Sequence, residues 1–123
     1  ALAAAADLTR TVNYVIDSGS LPMQTGDKGK LTIDVTGVIE QIRVLSDQTG
    51  DITFEIEKTT FADYPNFSTM TGGNRVQLTN TDKYFDDVLN NWTTNIVAGD
   101  ILRFDVISVN QIRRLLISLK LKL

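Results

Sequence analysis

The feature that most constrains this chain is the spacing of its apolar residues, which recur at every second position along most of its length. Leu115, Ile117, Leu119, Leu121 and Leu123 alternate with Leu116, Ser118, Lys120 and Lys122 at the C-terminal end. Ile52, Phe54 and Ile56 alternate with Thr53, Glu55 and Glu57 in the middle. A period of 2 sends successive side chains to opposite faces of an extended strand, whereas a helix needs apolar residues at intervals of three and four. Helical spacing is nearly absent, with one ambiguous stretch from Lys83 to Asn91, where Tyr84, Phe85, Val88 and Leu89 also fit one face of a helical turn. That stretch is read as strand or loop.

Turn chemistry separates the alternating runs. Val12, Tyr14 and Ile16 are followed by Asp17-Ser18-Gly19-Ser20, and Leu31, Ile33 and Val35 lie between Gly26-Asp27-Lys28-Gly29 and Gly37. Val38 to Ser46 is rich in β-branched residues, and Asp47-Gln48-Thr49-Gly50 separates it from Ile52 to Lys58. Such Asp, Gly and Thr clusters bond their own backbone or tolerate unusual dihedrals, so the two runs are expected to form an antiparallel hairpin. Arg75 to Leu78 reads as a short strand. Val97-Ala98-Gly99-Asp100 reads as a turn that launches Leu102, Phe104 and Val106 as an inward set. About eight short strands without a crossover helix imply an all-β fold, an antiparallel β-sandwich of jelly-roll-like form.

The length of 123 residues suits one domain, taken as 11–123, with 1–10 as an N-terminal lead-in or linker that includes Ala1 to Ala6. A formal charge of -3 disfavours nucleic acid as a partner, because phosphate contacts need concentrated Lys and Arg. No run of apolar residues approaches the roughly 20 that span a bilayer as a helix, so no membrane partner is expected. The chain has no Cys and no His, which removes disulfides, the thiolate nucleophile, the commonest general base and the commonest transition-metal ligand. Catalytic residues, cofactor and metal are therefore all expected to be none, and an enzyme is the least favoured class.

Two acidic groupings bear on that reading. Glu55 and Glu57 share a strand face at a spacing of about 7 Å, within the range of paired glycosidase acids, but a water-facing row needs nothing more than alternation. The solvated face is the preferred reading. Asp47, Asp51, Asp86, Asp87 and Asp100 offer oxygen ligands of the kind Ca²⁺ takes, but none lies in a D-x-D-x-D-G loop. Asp47 and Asp100 are better explained as turn formers.

The stretch from Thr59 to Asn74 has Pro65 and Gly72-Gly73 and reads as a long loop, a class of segment enriched in function. Its Phe61, Tyr64, Asn66 and Phe67 are the candidate contact residues for a carbohydrate or protein, since aromatic rings beside amides bind at low side-chain entropy cost. The alternative is a loop folded back on its own sandwich edge. Trp92 is expected to pack structurally. The C-terminal strand is too apolar for an open edge, so it sits centrally or is covered by another subunit, with Leu116, Leu119 and Leu121 as candidate interface residues.

Trp92 to Val106, with its Trp-Thr-Thr and Ala-Gly-Asp segments, and the closing Ser118 to Leu123 resemble the β-sandwich modules of tailed-bacteriophage fibre, spike and head-decoration proteins. Gly26 to Gly29, Ile39 to Leu45, Asp47 to Lys58 and Tyr64-Pro65 match in the same order, while Asn91 stands where a Gly is expected and Phe61 to Asn74 is individual. The resemblance implies a virion structural protein located on the particle surface. It also implies a homotrimer attached to capsid or tail protein, with a host-surface glycan as a further partner. The alternative is a monomeric carbohydrate-binding module of a secreted bacterial protein.

Overall fold

A computed structural model describes residues 8–123. The strands in chain order are β1 (Thr9–Asp17), β2 (Gly26–Ile33), β3 (Gly37–Thr59), β4 (Ser68–Thr69), β5 (Val76–Asp86), β6 (Asn95–Ile96), β7 (Asp100–Asn110) and β8 (Arg114–Lys122). All their pairings are antiparallel. There is no helix among the described residues. Of the expected lead-in at 1–10, residues 1–7 lie outside the described residues, and Thr9 and Arg10 already belong to β1.

The long strand β3 organises the fold. Its first half, Val38 to Ser46, pairs with β8, and its second half, Asp51 to Thr59, pairs with β7. Strand β5 follows it through both halves, with Tyr84 and Phe85 opposite Val44 and Arg43, and Val76 and Leu78 opposite Phe54 and Ile52. Two layers result: β1, β8, the first half of β3 and the end of β5 in one, and β2, β7, the second half of β3 and the start of β5 in the other. That is the jelly-roll arrangement, with two long strands, β3 and β5, each serving both sheets.

The hairpin expected between Val38 to Ser46 and Ile52 to Lys58 is therefore corrected: the two segments run on as one strand and pair with other strands. Asp47 to Gly50 carries the register shifts at which β3 passes from one layer to the other. Asp47 does not close a reversal there. Its Oδ1 accepts the amides of Arg113 and Arg114 across the layer edge, each at 3.1 Å. Gly50 is buried beside Asn110 and Ile112, where a Cβ would come within 2.6 Å of the Asn110 carbonyl oxygen. A bulge and a glycine let the strand bend without losing its partners.

The core lies between the layers and is built by the alternating sets that the sequence displays. Ile52, Phe54 and Ile56, Leu102, Phe104 and Val106, and Leu115, Ile117, Leu119 and Leu121 are all buried. Tyr14 stacks on Phe104 with ring centroids 4.5 Å apart, and its hydroxyl donates to the Lys28 carbonyl at 2.7 Å. Strand β8 sits between β1 and β3, so its apolar run has no open edge. Arg75 to Leu78 extends into the longer β5, and the ambiguous stretch after Lys83 is strand to Asp86 and then loop.

Candidate functional site

The residues that the sequence singles out lie on three surfaces. The first is the loop that leaves β3 at Thr59. Thr60 begins it with a turn: its carbonyl accepts the Tyr64 amide at 3.0 Å and its Oγ1 accepts the Asp63 amide at 3.1 Å. The Tyr64-Pro65 peptide is cis. Phe67 then returns to the sheet, where the Arg103 guanidinium lies 4.2 Å from its ring centroid, and Tyr64 meets it edge-on at 5.7 Å. Arg103 is itself held by Glu57 at 2.9 Å. Beyond β4, Met70 and Thr71 are fully buried and nail the loop down.

The loop is thus braced at Phe67 and Met70 and open at its tip. Phe61 is 85% exposed and Tyr64 46% exposed, with Asn66 exposed beside them. The structure brings Tyr64, Asn66 and Phe67 together on one turn. It uses Phe67 for packing, leaving Phe61 and Tyr64 as the free rings. Phe61 also borders a shallow hollow with Lys58, Thr60 and the Val97 to Asp100 turn.

That turn is formed as the sequence implies. Gly99 has φ +97°, the Asp100 amide donates to the Val97 carbonyl at 2.9 Å, and the Asp100 carboxylate accepts the Val97 amide at 2.9 Å. Trp92 packs against the core and its indole N–H donates to the Asn74 carbonyl at 3.0 Å. Asn91, in the position where a Gly is expected, takes φ +67°, a left-handed conformation that Asn tolerates better than most residues.

The second surface concerns the acids. Glu55 is buried, against the expectation of a solvated face, because the segment from Thr71 to Arg75 folds over it. Its carboxylate accepts the Thr71 hydroxyl at 2.6 Å and the Ile56 amide at 3.0 Å, and pairs with Arg75 at 3.2 Å. Glu57 is committed to Arg103. Each carboxylate thus has its own cationic partner, Arg75 for Glu55 and Arg103 for Glu57, and the two are not paired with each other. Asp47 and Asp100 serve the backbone, and no cluster of three metal-ligating side chains occurs among the described residues.

The third surface is the outer face of the β1–β8–β3 layer. Leu119 and Leu121 point the other way, into this chain's own core, which corrects their candidacy as subunit contacts: period 2 places them inside with Leu115 and Ile117. Leu116 does stand on the outer face. It is flanked by Val15 of β1 and Leu45 of β3, which are 61% and 53% exposed, and Phe85 lies on β5 nearby, at 52%. Val15, Leu45 and Phe85 were missed because each is a single apolar residue on the polar side of its strand, which only the register brings into one row.

Comparisons with known proteins give the fold and no family. No family model matches the chain. No curated protein matches it either. Among solved structures, the chain is similar to a carbohydrate-binding module from the glycoside hydrolase family 9 protein Cel9A of Ruminococcus flavefaciens FD-1, at 11% identity and a TM-score of 0.51, covering 94% of this chain and 97% of that one. CpGH89CBM32-6, produced by Clostridium perfringens, aligns at 15% identity and a TM-score of 0.44 over 96% and 93% of the two chains. The SPBc2 prophage-derived protein YomS aligns at 12% identity and a TM-score of 0.39 over 92% and 95%. The chain shares its β-sandwich fold with the Ruminococcus module.

Proposed function

We propose that this chain is a structural module of a tailed-phage virion, of the fibre, spike or capsid-decoration kind, located on the particle surface. It assembles with copies of itself as a homotrimer and offers its aromatic loop to a host-surface glycan or to capsid or tail protein. It is not an enzyme. The observation that carries the reading is the exposed pair Phe61 and Tyr64 on a loop pinned by buried Met70 and by the Arg103–Phe67 stack. Large rings held in water on a braced loop are arranged for contact, since burying them within the chain would otherwise be favourable.

The virion role and the trimer rest on the resemblance of Trp92 to Val106 and the closing strand to phage modules. The apolar row Val15, Leu116 and Leu45 supplies a surface for self-association. The likeness in fold to the Ruminococcus module favours a second reading, a monomeric carbohydrate-binding module with the same two rings as its platform.

Sedimentation equilibrium at micromolar concentration separates the two readings. A stable trimer is expected, and a monomer would overturn the assembly half of the proposal in favour of the second reading. Glycan-array binding lost in Tyr64→Ala is expected for the loop, and unchanged binding in that variant would remove the loop from either role.

A further inference from the structure

A cleft on the outer face of the β1–β8–β3 layer has no part in either the aromatic loop or the apolar row. It is lined by Thr11 of β1, Ser118 and Lys120 of β8, and Gln41 and Arg43 of β3, and has a volume of about 330 Å³. Small-molecule sites run from about 300 to 1,000 Å³, so it has room for a compact ligand. The register explains the grouping. Lys120 lies directly between Thr11 and Gln41, and Ser118 lies directly between Asn13 and Arg43. Arg43 and Lys120 are thus diagonal neighbours on adjacent strands, about 7–8 Å apart at Cα.

The lining is cationic in an acidic chain. The formal net charge is -3, yet the cleft has two cations and no carboxylate. Neither Arg43 nor Lys120 forms an ion pair among the described residues, so both charges are available to a ligand. Phe85 flanks the Arg43 guanidinium, its ring centroid 5.3 Å away, and limits how far the group can swing. The rest of the lining is uncharged: the Gln41 amide and the Thr11 hydroxyl donate and accept hydrogen bonds, and the Ser118 hydroxyl, which donates to Asn13 Oδ1 at 2.5 Å, accepts them.

We infer that this cleft binds an acidic sugar residue, a carboxylate-bearing pyranose within an oligosaccharide. The guanidinium fork of Arg43 matches a carboxylate in two parallel hydrogen bonds, with Lys120 as a second positive charge across the cleft. The amide and hydroxyls suit the sugar's own hydroxyl groups. A nucleic acid fits less well, because two cations neutralise too few phosphates. The inference goes beyond the loop reading, since it names another face and a ligand class. The two fail separately.

Isothermal titration of the full chain at low salt with tetragalacturonate, against uncharged maltotetraose of the same linkage, tests it. Binding of tetragalacturonate alone is expected, weakened at least tenfold in Arg43→Gln and in Lys120→Gln. It is expected to be unchanged in Tyr64→Ala and in Lys28→Gln, which removes the same charge from the other layer. Thermal melting of both cleft variants at the wild-type temperature would show that they fold. Equal binding of maltotetraose, wild-type affinity in both cleft variants, no binding at all, or equally tight binding of a thymidine oligonucleotide would each overturn the inference. Full competition by millimolar inorganic phosphate would overturn the sugar assignment.

Discussion

Asp47 Oδ1 accepts the backbone amides of both Arg113 and Arg114, each at 3.1 Å, and so ties the bend of β3 to the entry of β8. Burial of this carboxylate raises its pKa, but the two amides, Asp47's own amide and the charge of Arg114 outweigh that effect. The net result lies below the ordinary value of 3.8. A carboxylate whose pKa is lower folded than unfolded stabilises the fold above the unfolded value, and the contribution is lost as pH falls through the folded value. Asp47→Asn is therefore expected to lower the melting temperature by a few degrees at pH 7, while variant and wild type converge as pH falls below 3.8 and through the folded value. Melting curves across that range check it, and a difference that grows on acidification would contradict the assignment.

Gly50 makes the other half of the same joint. Alanine there would place its Cβ 2.6 Å from the Asn110 carbonyl oxygen and 2.9 Å from Ile112 Cγ1, closer than real side chains come to backbone. The backbone of β7 cannot give way without breaking its pairing to β3. Gly50→Ala is expected to destabilise the chain by about 1–3 kcal/mol, the usual range for forced overpacking, measurable by urea denaturation. A neutral outcome would mean that the two layers part easily at this edge.

How much of this was legible beforehand follows from what each residue answers to. The inward sets of β7 and β8 were readable because burial on one face imposes period 2, and the turn at Gly99 and Asp100 because its hydrogen bonds are local. The continuity of β3 was not, since Asp-Gln-Thr-Gly carries the composition of a reversing turn and only the distant amides of Arg113 and Arg114 decide otherwise. Glu55 looked solvated for the same reason: the segment that covers it lies 16 residues away at Thr71. In the candidate sites, the loop aromatics were visible as composition. The cleft at Arg43 and Lys120 exists only through register, which sequence spacing within one strand does not set.

Adjacent residues of β8 separate core from surface. Leu119 is buried against the opposite layer, and Leu119→Ala is expected to cost about 2–5 kcal/mol, whereas Leu116→Ala on the outer face should cost less than about 1 kcal/mol. Leu116→Asp should leave the monomer folded and dissociate any self-assembly that uses the Val15–Leu116–Leu45 row. Chemical denaturation with sedimentation velocity reads both effects, and an assembly that survives Leu116→Asp must use another face.

The loop makes the sharpest separation between holding and contacting. Phe67 is covered by Arg103 on its face and by Tyr64 at its edge, so Phe67→Ala removes a cation–π contact and the brace of the turn. A loss of about 1–2 kcal/mol is expected, together with faster proteolysis between Thr60 and Ser68. Phe61 touches water over most of its surface, so Phe61→Ala should leave stability within about 0.5 kcal/mol of wild type while weakening whatever contact the loop makes. If Phe61→Ala instead destabilised the chain as much as Phe67→Ala, the ring would be packing against its own sandwich in solution. The hollow beside Val97 would then be its resting place, and Tyr64 would remain as the one exposed platform.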